Sequence, residues 1–172
     1  MKDDTTALPI MEELLDCAVA VLEEREIPVA YPELAFGQEA VFDGFCQGRD
    51  DDENCPGKLW ARLVAGFPTD VELDSFPEPS ARPLRYPNES LAYTIELGIA
   101  RKLLVPDRGE ALTVEERRTT TALQLADMTA LRVAICRCFS ERAFVLGQYA
   151  TLTLGDITSG AWAVTVEYRK GS

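Results

Sequence analysis

The sequence predicts an α+β domain: an antiparallel sheet with two helices packed on one face, a C-terminal β-hairpin and a long Pro-rich loop. Three observations predict it. Residues 160–170 place Trp162, Val164, Val166 and Tyr168 on one side, with Ala161, Ala163, Thr165, Glu167 and Arg169 on the other, the period-2 pattern of a half-buried strand. Tyr93, Ile95, Leu97 and Ile99 alternate with Thr94, Glu96 and Gly98 in the same way. Two helical patterns are separated by runs of strands, which indicates an α+β domain with both helices on one face of the sheet. A chain of 172 residues, 47% of them hydrophobic, is expected to form one domain over 1–172 with a sizeable core.

The first helix is expected at about 9–25. Ile10, Leu14, Cys17 and Val21 recur at helical spacing, and Met11, Leu15, Ala18 and Leu22 widen the stripe. Pro9 suits the first turn, Glu12 and Glu13 suit the positive end of the helix dipole, and Pro28 bars continuation past Ile27. Residues 27–57 give mixed signals. Pro32 and Gly37 interrupt, residues 40–45 suit a short strand or an interface loop, and the acidic run at 49–54 suits a solvated loop. A strand is expected over 59–65, with Leu59, Ala61 and Leu63 on one face and Trp60, Arg62 and Val64 on the other.

Residues 66–90 hold five of the ten prolines, at 68, 77, 79, 83 and 87, together with Phe67, Phe76 and Tyr86. Proline lacks a donor and fixes φ, so this stretch is expected neither to pair as a central strand nor to coil. It reads as an extended docking arm that becomes ordered against a neighbour, with its aromatic residues as interface candidates. A strand over 91–101 follows, then a turn marked by Pro106 and Gly109. Thr113 and Glu116 fit a capping box, opening a helix to about Cys138 whose buried stripe is expected to be Leu125, Met128, Leu131, Ile135 and Cys138. The hairpin is expected as a strand over 144–154, a turn over 155–160 and a return strand over 161–169.

Several function classes are disfavoured. Histidine is absent, which removes the commonest general base and any Ser-His or Cys-His pair, so no catalytic residue is assigned and an enzyme is not expected. Seventeen Lys and Arg against 29 Asp and Glu give a net charge of −12, and no basic cluster exceeds two residues, so a DNA-gripping role is rejected. No apolar run reaches membrane-spanning length, no secretory signal pattern opens the sequence, and synthesis and folding in a cytoplasm is the expectation. Cysteines 17, 46, 55, 136 and 138 lack the spacing of a zinc site, Cys17 and Cys138 fall on helix stripes as small apolar residues, and a Cys46–Cys55 disulfide stays open as an alternative. The acidic run lacks the ligand pattern of a calcium loop. No metal or cofactor is expected.

Trp60 and Trp162 are each either core or anchor, with Trp162 favouring core, and Arg101-Lys102 and Arg117-Arg118 read as solvated charges available to acidic patches on neighbours. The interface candidates are therefore Phe67, Phe76, Tyr86, Trp60, Arg101 and Arg117.

The element order, with residues 11–24, 93–101, 123–138 and 160–168, resembles the tail terminator family of long-tailed bacteriophages. Residues 55–64, Cys-Pro-Gly-Lys-Leu-Trp-Ala-Arg-Leu-Val, and the run Gly-Ala-Trp-Ala-Val-Thr-Val are similar to head-to-tail joining proteins of phages infecting actinobacteria. The resemblance implies a virion protein of the tail and neck, assembled in the host cytoplasm. It implies a ring of copies of this chain, typically six, that caps the tail tube, with the major tail tube protein and a head-side connector or stopper protein as partners. DNA would pass through the lumen without specific binding, which a net charge of −12 permits. A stopper or connector ring of the same neck, and a non-viral cytoplasmic interaction module, are the alternatives.

Overall fold

The computed structural model describes residues 7–35, 56–69, 90–102, 113–155 and 157–168. In order they form α1 (Ala7–Glu24), β1 (Ala30–Leu34), β2 (Lys58–Thr69), β3 (Ser90–Lys102), α2 (Val114–Cys138), β4 (Phe144–Leu154) and β5 (Ile157–Tyr168). The five strands make an open sheet in the order β1-β2-β3-β5-β4, antiparallel throughout except that β1 runs parallel to β2. The fold is α+β, as expected; the short parallel strand is not what the sequence led us to expect in the mixed stretch after Ile27.

One core joins both helices to one sheet face. Leu14, Ala18, Val21 and Leu22 of α1 and Ala130, Leu131, Ala134 and Ile135 of α2 meet Leu59, Ala61, Ile95, Leu97, Val164 and Val166, with Phe139 sealing the end of α2. The period-2 strands supply every second residue to this layer, as their pattern requires. On the opposite face, Trp60, Ala35, Ala100 and Ala161 form a second small cluster. Gly98 makes it feasible: a Cβ there would overlap the Trp60 ring and lie 2.8 Å from the Ala161 Cβ.

Both helices depart in detail from expectation. α1 begins at Ala7, so Pro9 still lies in the first turn but Glu12 and Glu13 lie beyond it. Beyond the helix end at Glu24, Glu26 sits at φ 56, with the Ile27 N–H donating to the Leu22 carbonyl at 2.9 Å, a left-handed C-terminal cap made without glycine. The capping box of α2 is present: the Glu116 N–H donates to Thr113 Oγ1 at 3.2 Å, and the Thr113 N–H to Glu116 Oε2 at 2.7 Å. Leu125, however, is exposed, and the inner stripe runs through Asp127, Ala130, Leu131, Ala134 and Ile135.

Two strand boundaries are corrected. β2 runs on through Gly66, Phe67, Pro68 and Thr69, each paired with β3, where the start of an arm was expected. Proline is tolerated because β1 accompanies only Lys58–Ala61, so among the described residues no strand lies outside Pro68 to need its missing donor. β4 ends at Leu154, with Gly155 at φ 60 after it, and β5 begins at Ile157, so Thr158, Ser159 and Gly160 belong to the strand where a turn was expected. The remainder of the arm, the acidic run, Cys46, Cys55, residues 40–45 and the Pro106–Gly109 turn lie outside the described residues.

Candidate interaction surface

Arg101 is not the solvated charge that the sequence reading expected, and Trp60, left open between core and anchor, is buried. Arg101 shares the parity of Tyr93, Ile95, Leu97 and Ile99 on β3, so its side chain enters the helix layer. There it is 7% exposed and forms a fork with Asp127 of α2, itself 4% exposed, through Nε–Oδ2 at 2.6 Å and Nη2–Oδ1 at 2.7 Å. Nη1 also donates to the carbonyls of Pro28, at 3.0 Å, and Pro56. One guanidinium thus ties α2, the α1–β1 connection and the entry to β2 to the sheet, so Arg101 is not a solvated charge offered to a neighbour. Gly57, at φ 123, lies against that guanidinium, and a Cβ there would collide with it.

Trp60 is buried flat over Gly98, its indole N–H donating to Ser159 Oγ at 3.0 Å. Arg62 lies over the same ring, 5.6 Å from its centroid, and pairs with Glu96 at 2.6 Å. Trp162 is half-buried against the helix layer, donates to the Met128 carbonyl at 2.8 Å and stacks at a tilt on Tyr149. Burial pushes the Tyr149 hydroxyl up to about 12, with the nearby Asp127 charge adding to it.

Of the other candidates, Arg117 is exposed in the first turn of α2, its Nε 3.5 Å from the Thr113 carbonyl. Phe67 is placed on β2 opposite Ala92, and Phe76 and Tyr86 lie outside the described residues. Cys17, Cys136 and Cys138 are free thiols. Burial first, and then the hydrogen bond with Cys17, push the Cys138 thiol well above its ordinary range, the opposite of what an activated nucleophile needs. Among the described residues no group of His, Cys, Asp and Glu is arranged to hold a metal, and no helix is long and apolar enough to cross a membrane.

Assembly through sheet edges, together with the 66–90 arm, was expected from the sequence; which strands form those edges was not. β4, Phe-Val-Leu-Gly-Gln-Tyr-Ala-Thr-Leu-Thr-Leu, has eleven residues without a charge or a proline and is the outermost strand on its side. Its end from Ala150 to Leu154 is exposed, with Leu152 at 53% and Leu154 at 57%. Edge strands are normally blunted by charge, proline, brevity or a bulge, since their open backbone groups accept a further strand; β4 has a bulge between Leu146 and Tyr149 and none of these devices beyond it. The other edge carries Leu63 at 44% and Val64 at 51%, on the stretch of β2 that β1 leaves uncovered. Lack of charge across 144–154 was legible in the sequence; that β4 and not β5 lies outermost was not.

No family model matches the chain, and no curated protein matches it.

Proposed function

We propose that the protein is a structural, non-enzymatic virion component: a tail terminator whose copies form a ring, typically of six, on the end of the tail tube and present a surface to the head-side connector. One observation carries the reading. Among the described residues the open sheet ends on an uncharged strand whose 150–154 end, beyond its bulge, is exposed, and an acidic chain that stayed monomeric would need such an end guarded. Apolar residues stand exposed on both sides of one sheet, which suits head-to-tail contacts that close into a ring. Net charge of −12 suits a lumen past which DNA slides without adhering.

The test is negative-stain microscopy of the purified protein, then mixing with isolated tail tubes. Rings that cap tube ends are expected. A monomer at all accessible concentrations would remove the proposal, and rings that bind only the head-side connector would make the protein a stopper.

A further inference from the structure

The two exposed sheet edges have matching chemistry on the same face. Leu152 and Leu154 oppose Ser159 and Ile157 in the β4–β5 register, on the side of Trp60 and Ala161, away from the helices. At the other edge the β2–β3 register passes from Leu63–Ile95 to Ala65–Thr94, leaving Val64 as the extra residue of a bulge. Thr94, bonded to Thr165 at 3.0 Å, lies on the face away from the helices. Ala65 therefore shares that face with Leu152 and Leu154, at the opposite edge, with Val64 exposed beside it.

Strand polarity is also compatible. β2, β3, β5 and β4 alternate in direction, so β4 of one copy and β2 of an identically oriented copy run antiparallel, the pairing that takes the more favourable ladder. We propose that β4 of one copy, through Thr151–Leu154, pairs along the Arg62–Ala65 edge of β2 in a second copy, seating Leu152 and Leu154 against Val64. The contact is head-to-tail, so every copy uses both edges and the array propagates. This deepens the ring reading and rests on it, because it names the surfaces through which the ring is joined.

The register sets the geometry. Ala65 is level with Thr94, Thr165 and Val145, and Leu152 is level with Ser159, so the Leu152 contact sits six residues of β5 (165 to 159) further along, the bulge in β4 adding no rise. At about 3.3 Å per residue this is a stagger of roughly 20 Å between neighbours. Strands of the assembled ring therefore run obliquely to its axis, as staggered strands do in closed barrels.

Complementation tests it. Leu152→Lys spoils only the β4 edge and Val64→Glu only the β2 edge; both sites are at least half exposed, so folding, checked by circular dichroism, is expected to persist. Native mass spectrometry should show a multimer for the parent protein, monomers for each variant alone, and a dimer in their 1:1 mixture, since one junction retains two intact edges. In the parent, amide exchange of residues 151–154 should slow more than about tenfold as the multimer forms. Variants that remain multimeric, or exchange at 151–154 that ignores concentration, would overturn the contact while leaving the ring intact. Monomeric variants whose mixture gives no dimer would overturn the head-to-tail pairing. A parent that is itself monomeric would overturn this and the ring together.

Discussion

Asp127→Ala tests whether the buried charge fork organises the fold. The substitution leaves the Arg101 guanidinium 7% exposed and in contact with only the Pro28 and Pro56 carbonyls. Removing one partner of a buried pair costs about 3–5 kcal/mol, because an uncompensated charge stays out of water. For a chain of this size that corresponds to a fall in Tm on the order of 10 °C. Replacing both partners, Arg101→Met with Asp127→Leu, should recover most of the loss, since an apolar pair carries no desolvation penalty. The assay is urea unfolding followed by far-UV circular dichroism at fixed protein concentration, for the parent, the single variant and the double variant. A single-variant loss under about 1 kcal/mol would mean that the pair is effectively solvated, and the account of Arg101 as the tie between three connections would be wrong.

Other outcomes follow from single contacts. Gly98→Ala should cost about 1–3 kcal/mol, because its Cβ meets the Trp60 ring and the Ala161 Cβ, neither free to swing aside; denaturant titration reads it. Glu26→Gly should raise stability by about 0.5–1 kcal/mol by relieving the left-handed backbone at φ 56, measured in the same way. Hydrogen bonds from the Thr113 hydroxyl and backbone hold the Glu116 carboxyl below its ordinary 4.5. The capping contribution is therefore complete above pH 4.5 and lost as pH falls through the lower folded value; Thr113→Ala should abolish that acid-side dependence in amide exchange of the first turn of α2. Tyr149 has the opposite sign. Raised to about 12, it favours the folded state below about pH 10 and loses that contribution as pH rises toward 12, an ionisation that Tyr149→Phe should delete from the ultraviolet titration.

Legibility in the sequence tracked burial on one side. Where a strand has one face on the helices, alternation gave the right inward residues: Ile95, Leu97, Val164 and Val166 are all fully buried. Arg101 shows how the same rule, followed further, would have corrected the reading. Its odd position placed it inward with Ile99, yet its charge type suggested solvent, and the periodic signal was the better guide because a partner existed. That partner was harder to see. Asp127 is four residues before Leu131 and seven before Ala134, so it lies on the buried stripe of α2, but only tertiary structure brings β3 across it. Strand order was not legible at all, since a hairpin of β4 and β5 fits a sheet equally well with either strand outermost. Placing β5 between β3 and β4 requires the long crossover through α2, and it is this crossover that leaves β4 at the edge.

Charge and position are inverted in this chain, and the inversion argues for assembly. A monomer gains most by keeping ions at its rim and apolar strands inside, since buried ions cost desolvation and open edges recruit other chains. Here an arginine and an aspartate are spent in the interior, while the outermost strand has no charge along eleven residues of a chain that is 27% charged. The interior pair gives direction: its fork fixes how α2 crosses the sheet and therefore where β4 ends. In the assembly proposed above, the uncharged edge supplies the contact, because copies each carrying −12 would repel through their acidic surfaces but not through that edge. Raising ionic strength should then strengthen self-association by screening the repulsion between acidic surfaces, with the apolar edge contact unaffected. Association that weakens with salt, measured by sedimentation between low and physiological ionic strength, would instead place opposite charges at the junction and remove the edge from consideration.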